Sequence, residues 1–232
     1  MISALFFDVF GTLVDWRSSI AREAKLLLAL HGHDIDFTGF ADAWRAEYQP
    51  SMEEVRSGRR GYVLLDTLHR ENLERILSRF GLEGISAKER EMLNRVWHKL
   101  DAWPDVPAAM RRLHARYRLA PVSNGNISIM VDLARHNGFC WDTVLGAEIA
   151  RTYKPNREAY LASARALDLD PSACMMVAAH SRDLEAAAAC GLRTAHVSRL
   201  DEYGRGTGEA KPLIPVDMAA RDLGELADML NA

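Results

Sequence analysis

Residues 3–12, SALFFDVFGT, decide the fold of this chain. The apolar run over 3–8 predicts a short buried strand that ends at an acid, and the Gly-Thr that follows predicts a turn. In an open parallel sheet, ligands bind at the carboxyl ends of the strands. Asp8, which stands at such an end, is therefore the first candidate functional residue.

The chain downstream of this strand divides into two patterns. Helices are predicted over 17–32, 38–56, 66–80 and 86–100, with no convincing strand among them. Beyond that block, helices at 106–116, 127–138, 156–168, 181–190 and 219–230 alternate with strands at 117–123, 143–147, 173–179 and 193–198. Such alternation predicts right-handed βαβ units, and hence an α/β fold with a parallel sheet and a helical insertion after its first strand.

The composition narrows the classes of function. The chain has 232 residues, 48% of them hydrophobic and 26% charged, and a net charge of -3. No basic stripe with interleaved aromatics is present, which argues against nucleic-acid binding. No apolar stretch has the length of a membrane span, so no membrane association is predicted. The widely spaced Cys140, Cys174 and Cys190 are interpreted as small buried residues, which favours a reducing, cytoplasmic location.

Further polar residues follow the later strands. Ser123 and Asn124 follow the second strand, Lys154 follows the third, and His180 and Asp183 follow the fourth. An amine beside Asp8 would keep that carboxyl ionised and nucleophilic. A hydroxyl with turn amides could hold an anionic group, and the second acid could orient or deprotonate a water. Each residue alone is more often turn chemistry, but their arrival in this order favours a catalytic site.

Four ordered motifs make the chain similar to the haloacid dehalogenase superfamily. They are DVFGT at 8–12, VSNGN at 122–126, YKPN at 153–156, and Asp183 after MMVAAH at 175–180. The resemblance covers nearly the whole chain. It implies a Rossmann-like core domain formed by 1–16 and 101–232, with an inserted four-helix cap domain over 17–100. It also implies hydrolysis through the nucleophile Asp8.

Phe10 distinguishes between branches of that superfamily. In the magnesium-dependent phosphatases, this position holds an acid that protonates the leaving alkoxide. Phe10 has no proton to give, and the last motif has one acid, Asp183, where that branch tends to carry two. Chloride and bromide are weak bases that leave without a proton, and an aromatic ring makes the site drier. Phe10 therefore favours carbon–halogen cleavage without a cofactor or a metal.

The segment WRAEY at 44–48 resembles the part of L-2-haloacid dehalogenases whose arginine faces the departing halide. The resemblance assigns that position to Arg45 and places Asn124 nearby. Tyr48, Met52 and Leu65 are expected either to line an apolar pocket or to belong to the core. It assigns the substrate carboxylate to Ser123 and the backbone of Val9 and Phe10. It gives Thr12, Lys154 and Tyr160 the role of supporting Asp8, and Asp183 that of handling the hydrolytic water.

His180 stands where that family often has asparagine. The imidazole is expected either to donate a hydrogen bond or to act as a general base alongside Asp183. Arg182 likewise replaces a tryptophan that is frequent in the family. These departures affect the expected substrate range more than the expected reaction.

The sequence thus predicts that a short (S)-2-haloacid or haloacetate is converted to a 2-hydroxy acid and halide through an Asp8 ester. The haloacid is the only small-molecule partner expected, and a homodimer through cap or core helices follows from the resemblance alone. Two alternatives stay open: a magnesium-dependent small-molecule phosphatase of the same superfamily, and a non-catalytic protein that binds small acids.

Overall fold

The computed structural model describes all of residues 1–232. The strands of a six-stranded sheet are β1 (Ala4–Phe7), β4 (Arg118–Ser123), β5 (Leu145–Gly146), β6 (Cys174–Ala178), β7 (Arg193–Val197) and β8 (Met218–Ala220). They form parallel pairs in the order β5-β4-β1-β6-β7-β8. The helices between and after these strands are α6 (Val106–His114), α7 (Ile127–Asn137), α8 (Ala147–Ala150), α9 (Arg157–Ala166), α10 (Ser181–Ala189) and α11 (Leu223–Met229). The predicted α/β fold with a parallel sheet is confirmed.

A helical segment follows the first strand. It comprises α1 (Trp16–Ala29), α2 (Phe37–Ala46), α3 (Tyr48–Arg56), α4 (Leu65–Ile76) and α5 (Ala87–Asn94), and α4 and α5 each continue into a short 3-10 turn, Leu77–Phe80 and Arg95–His98. A two-stranded ribbon of β2 (Val14–Asp15) and β3 (Asp101–Ala102) joins the two ends of this segment.

The single helix predicted over 38–56 is wrong, because α2 and α3 are separate helices that meet at Glu47. The reason is Pro50. In a continuous helix its ring would collide with the carbonyl of residue 46, and it has no amide hydrogen to donate there. In the structure Pro50 falls in the first turn of α3, where proline is tolerated.

The helix predicted over 219–230 is also partly wrong. Met218–Ala220 forms the edge strand β8, paired with β7, and the helix begins only at Leu223. Asp222 sets that start, because its side chain accepts a hydrogen bond from the amide of Glu225. A three-residue strand is too short for alternation of side chains to reveal it.

Phe10 anchors the sheet to the helical segment. It is 2% exposed and packs edge-on against the rings of Tyr48, His69 and Trp97, all from the helical segment, with centroid distances of 6.3, 6.3 and 5.7 Å. Such edge-to-face pairs stabilise beyond the area they bury. The carboxyl edge of β1 is therefore covered by apolar rings on one side. Across the structure, no helix combines the length and apolar character that a membrane crossing would require.

Candidate active site

Asp8 follows β1 directly and stands at the base of a small cavity. Its amide donates to the carbonyl of Val177 on the neighbouring strand, over 3.0 Å, which extends the sheet to this residue. The cavity has a volume of about 120 Å³ and is lined by Asp8, Phe10, Arg45, Tyr48, Gln49, Asn124, Lys154, Pro155, His180, Arg182, Asp183 and Tyr203. A molecule of a few heavy atoms fits it.

Both oxygens of the Asp8 carboxylate receive hydrogen bonds. Oδ1 accepts from the amine of Lys154 at 2.9 Å, and Oδ2 lies 2.8 Å from the Thr12 hydroxyl and 3.1 Å from Nδ1 of His180. The Thr12 oxygen also accepts from the amide of Ala179 at 2.9 Å, which directs the hydroxyl proton toward Asp8. Burial alone would raise the pKa of Asp8, but Lys154 and His180 outweigh it and hold that pKa far below its usual range. Asp8 is therefore an ionised carboxylate.

Lys154 connects Asp8 to Asp183. Its Nζ lies 2.5 Å from Oδ2 of Asp183, and the phenol of Tyr160 donates to the other oxygen of Asp183 at 2.5 Å. Burial would lower the pKa of Lys154, but the two carboxylates raise it well above its ordinary value. The amine is thus a permanent cation. Tyr160, predicted to support Asp8, instead contacts Asp183, because α9 brings its phenol to the first turn of α10.

His180 lies between two carboxylates. Its Nε2 is 2.8 Å from Oε2 of Glu202, opposite the contact of Nδ1 with Asp8. Burial would lower the pKa of His180, but its hydrogen bonds to Asp8 and Glu202 raise that pKa to about 10. The imidazole is therefore protonated at neutral pH and has no lone pair to accept a proton. This geometry favours the hydrogen-bond donor role over the general-base role, and both stay predictions.

Arg45 closes the side of the cavity contributed by the helical segment. Its guanidinium carbon lies 4.0 Å from the centroid of the Tyr48 ring and 5.2 Å from that of Trp16. Its Nη1 is buried without a hydrogen-bond partner in the protein. A buried N–H without a partner is costly, so this donor is suited to an anion that enters the cavity.

The sequence of the chain matches the model of a known protein family. The model of the haloacid dehalogenase-like hydrolases matches residues 2–191. The chain belongs to this family.

Within this family, the chain is similar to two solved structures and to a curated relative that are named as haloacid dehalogenases. The chain resembles the crystal structure of a defluorinating L-2-haloacid dehalogenase, with 43% identity, a TM-score of 0.97, and coverage of 100% of this chain and 96% of that one. It also resembles a second L-2-haloacid dehalogenase, with 41% identity, a TM-score of 0.96, and coverage of 100% and 99%. (S)-2-haloacid dehalogenase 1 of Pseudomonas sp. (strain CBS-3) is 27% identical over 207 residues, which cover 87% of this chain and 86% of the relative.

Some of the predicted site residues of this haloacid dehalogenase-like hydrolase line the cavity, and others are buried outside it. The predicted residues Asp8, Phe10, Arg45, Tyr48, Asn124, Lys154, His180 and Asp183 all line it. Thr12 and Tyr160 do not line the cavity. Thr12 is hydrogen-bonded to Asp8, and Tyr160 is hydrogen-bonded to Asp183. Val9, Met52, Leu65 and Ser123 are at most 1% exposed and do not line the cavity.

Ser123 and Asn124 both use their side chains to shape the loop after β4. The hydroxyl of Ser123 accepts from the amide of Gly125 at 3.1 Å. The side-chain oxygen of Asn124 accepts from the amide of Lys154 at 2.7 Å, which fixes the lysine backbone beside Asp8. The direct contact between Ser123 and a substrate carboxylate stays a prediction.

Sequence reasoning missed several lining residues of the hydrolase. Gln49 and Tyr203 lie on the cavity wall, and Glu202 lies behind His180. Glu202 belongs to the turn-rich segment 199–217, where no periodicity indicates which side chains point inward. The chain contains no group of three or more His, Cys, Asp or Glu residues arranged to hold a metal ion.

Proposed function

We propose that this protein hydrolyses short 2-haloalkanoic acids, (S)-2-haloacids or haloacetates, to 2-hydroxy acids and halide through an ester of Asp8. One observation carries the proposal. An ionised carboxylate, Asp8, shares a small cavity with the partnerless buried donor of Arg45 and with Phe10, which has no proton to give a leaving group. The two L-2-haloacid dehalogenases that the chain resembles at 43% and 41% identity support the same reaction.

In the first step, an oxygen of Asp8 attacks C2 of the substrate from the side opposite the halogen. A carbon–oxygen bond forms while the carbon–halogen bond breaks, and the halide leaves with the bonding electrons toward Arg45. A guanidinium is a fixed cationic donor that stabilises such developing charge. No proton transfer is needed, which is consistent with the aromatic ring of Phe10 beside the nucleophile. Where C2 is chiral, its configuration inverts.

In the second step, water attacks the carboxyl carbon of the Asp8 ester. Asp183, held by Lys154 and Tyr160, accepts a proton from that water. The bond between the carboxyl carbon and the ester oxygen then breaks, and the departing alkoxide takes the proton from Asp183 to become the product hydroxyl. The other proton of the water is lost to solvent when Asp8 returns to its carboxylate form. The balance of both steps is haloacid plus water giving hydroxy acid, halide and one proton. The water oxygen remains in Asp8 until a later turnover.

The proposal is tested by halide release from chloroacetate, L-2-chloropropionate and fluoroacetate in the presence of EDTA. We expect release by the wild type and none by Asp8→Asn, which removes the nucleophile but keeps the shape. Asp34→Asn, the same change at an exposed carboxylate, serves as the matched control and should behave as the wild type. Single-turnover hydrolysis in water labelled with oxygen-18 should place the label in Asp8.

Two results of these measurements would overturn the proposal. Absence of halide release from all three acids, with magnesium-dependent cleavage of a phosphate ester instead, would establish the phosphatase alternative. Tight binding of the carboxylates without any turnover would establish the binding-protein alternative.

A further inference from the structure

Glu202 is a buried carboxylate that no part of the reaction described above uses. It lies in the loop between β7 and β8 and is 1% exposed. Its Oε2 contacts Nε2 of His180 at 2.8 Å, and its Oε1 accepts from the indole of Trp16 at 3.1 Å. Gly11, which follows the nucleophile loop, packs so closely against this carboxylate that a Cβ there would overlap it. Glu202 is thus held on three sides with one oxygen directed at His180.

The groups around His180 explain its charge. Asp8 after β1 and Glu202 after β7 each contact one ring nitrogen. Among the cations nearby, Lys154 is bonded to Asp8 and Asp183, and Arg45 lies over the Tyr48 ring. Arg182 lines the same cavity but makes no hydrogen bond to His180. His196 on β7 has a lowered pKa from burial, so it adds no charge at neutral pH, and Glu209 contacts Ser181, the residue after His180. Two carboxylates in direct contact therefore decide the protonation of His180.

The two oxygens of Asp8 are not equivalent. Oδ1 has one donor, Lys154, whereas Oδ2 has two, Thr12 and His180. Because Oδ1 accepts fewer hydrogen bonds than Oδ2, it is the better nucleophile. Oδ2 then becomes the carbonyl oxygen of the ester, and the negative charge develops on it when water attacks. Its donors lie at 2.8 and 3.1 Å, the range in which hydrogen bonds stabilise an oxyanion.

We propose that Glu202 is a positioning residue that holds His180 as an imidazolium aimed at Oδ2 of Asp8, so that His180 stabilises the oxyanion during hydrolysis of the ester. The inference rests on the proposed function and deepens it. Water adds to the carboxyl carbon and loses a proton to Asp183, and the electron pair of the carbonyl moves to Oδ2. When the pair returns, the bond between the carboxyl carbon and Oδ1 breaks, and the product oxygen leaves with the proton that Asp183 had accepted.

Glu202 matters most after the first step. In the free enzyme, His180 faces two carboxylates, and its pKa is raised to about 10. Alkylation removes the charge of Asp8, so Glu202 becomes the only carboxylate that contacts the imidazolium. Loss of the Glu202 charge should therefore slow hydrolysis of the ester more than its formation.

The first test measures protonation without any reaction. Histidines labelled with carbon-13 are titrated by NMR in the wild type, in Glu202→Gln and in Asp201→Asn, and His180→Asn assigns the signal. Asp201 is the adjacent exposed acid, and its side chain accepts a hydrogen bond from the loop amide of Gly206. We expect His180 to titrate near pH 10 in the wild type and in Asp201→Asn, and about one unit lower or more in Glu202→Gln. Titration of wild-type His180 near 6.5 overturns the proposal, whether or not the Glu202 variant folds.

The second test separates the two chemical steps. Each protein is mixed rapidly with L-2-chloropropionate, and released chloride and the mass of the Asp8 peptide are followed. Glu202→Gln should release about one chloride per site in a burst, accumulate the ester, and hydrolyse it on the order of tenfold more slowly. Asp201→Asn should show no such accumulation. Equal slowing of both steps, or unchanged ester hydrolysis, contradicts the role of Glu202, whereas a wild type that releases no halide contradicts the proposed function itself.

Discussion

The guanidinium of Arg45 stacks on the ring of Tyr48, with its central carbon 4.0 Å from the ring centroid. Arg45 lies in the last turn of α2 and Tyr48 in the first turn of α3, so the stack spans the corner between two helices. A planar cation on an aromatic face gains a cation–π attraction and loses freedom to rotate. The stack therefore fixes the direction in which the unpaired Nη1 points.

Arg45→Ala should slow the halide-releasing step by about a hundred- to a thousandfold, the usual effect of removing one electrostatic donor. Arg45→Lys keeps the charge but loses the planar stack, so we expect it to recover only part of the rate. Single-turnover chloride release measures both. Arg79→Ala, the same change at an exposed arginine, serves as the control. A wild-type rate in Arg45→Ala would remove this residue from the halide site.

The stability of the protein should fall between neutral and alkaline pH because of His180. Burial lowers the pKa of His180, but its hydrogen bonds to Asp8 and Glu202 outweigh burial and raise that pKa from 6.5 to about 10. A raised pKa stabilises the fold fully below about pH 6.5, and that stabilisation is lost as the pH rises through about 10. Urea unfolding from pH 6 to 10 should show this decline in the wild type and a flatter profile in His180→Asn. Equal slopes would contradict the imidazolium assignment.

Gly11→Ala should disturb the site through Glu202. Gly11 has a φ of +84°, and a methyl group there would overlap the Glu202 carboxylate. Gly58→Ala is the matched control, since Gly58 has a φ of +76° but open space around it. Both variants should lose about 1–2 kcal/mol from the backbone conformation. Only Gly11→Ala should also lower the NMR titration midpoint of His180 and slow ester hydrolysis; identical behaviour of the two would argue against the close packing on Glu202.

Phe10→Asp should not turn the protein into a phosphatase. The ring is 2% exposed among Tyr48, His69 and Trp97, so a carboxylate would be buried without a partner. We expect a loss of about 3–5 kcal/mol in the free energy of unfolding, the range for removal of a buried aromatic side chain. Phe10→Leu should lose less, because it stays apolar. Urea unfolding and a magnesium-dependent phosphatase assay check the prediction, and a stable, active phosphatase would refute it.

The sequence could predict those parts of the site that follow from topology. Asp8, Lys154, His180 and Asp183 each follow a predicted strand, and parallel strands end at one edge, so their meeting required only the strand assignment. The corner at Glu47 is also encoded, by Pro50, but the helical pattern on both sides of it predicts one continuous helix.

Glu202 could not be predicted in the same way. Its loop has no repeating pattern, and its partners Trp16 and His180 are far from it in the chain. The direction of such a side chain depends on tertiary packing, which no local signal expresses. The same is true of Tyr160, whose position on α9 is consistent with a contact to either acid until α10 is placed beside it.

The corner between α2 and α3 has a consequence for how this protein can diversify. Arg45, Tyr48 and Gln49 all come from that corner, whereas Asp8, Lys154 and Asp183 come from the edge of the sheet. A few substitutions around the corner can therefore alter the size and polarity of the acceptable leaving group while the nucleophile and its hydrogen bonds stay intact. New substrate ranges are accessible by short mutational paths, and each step along them retains a functioning carboxylate.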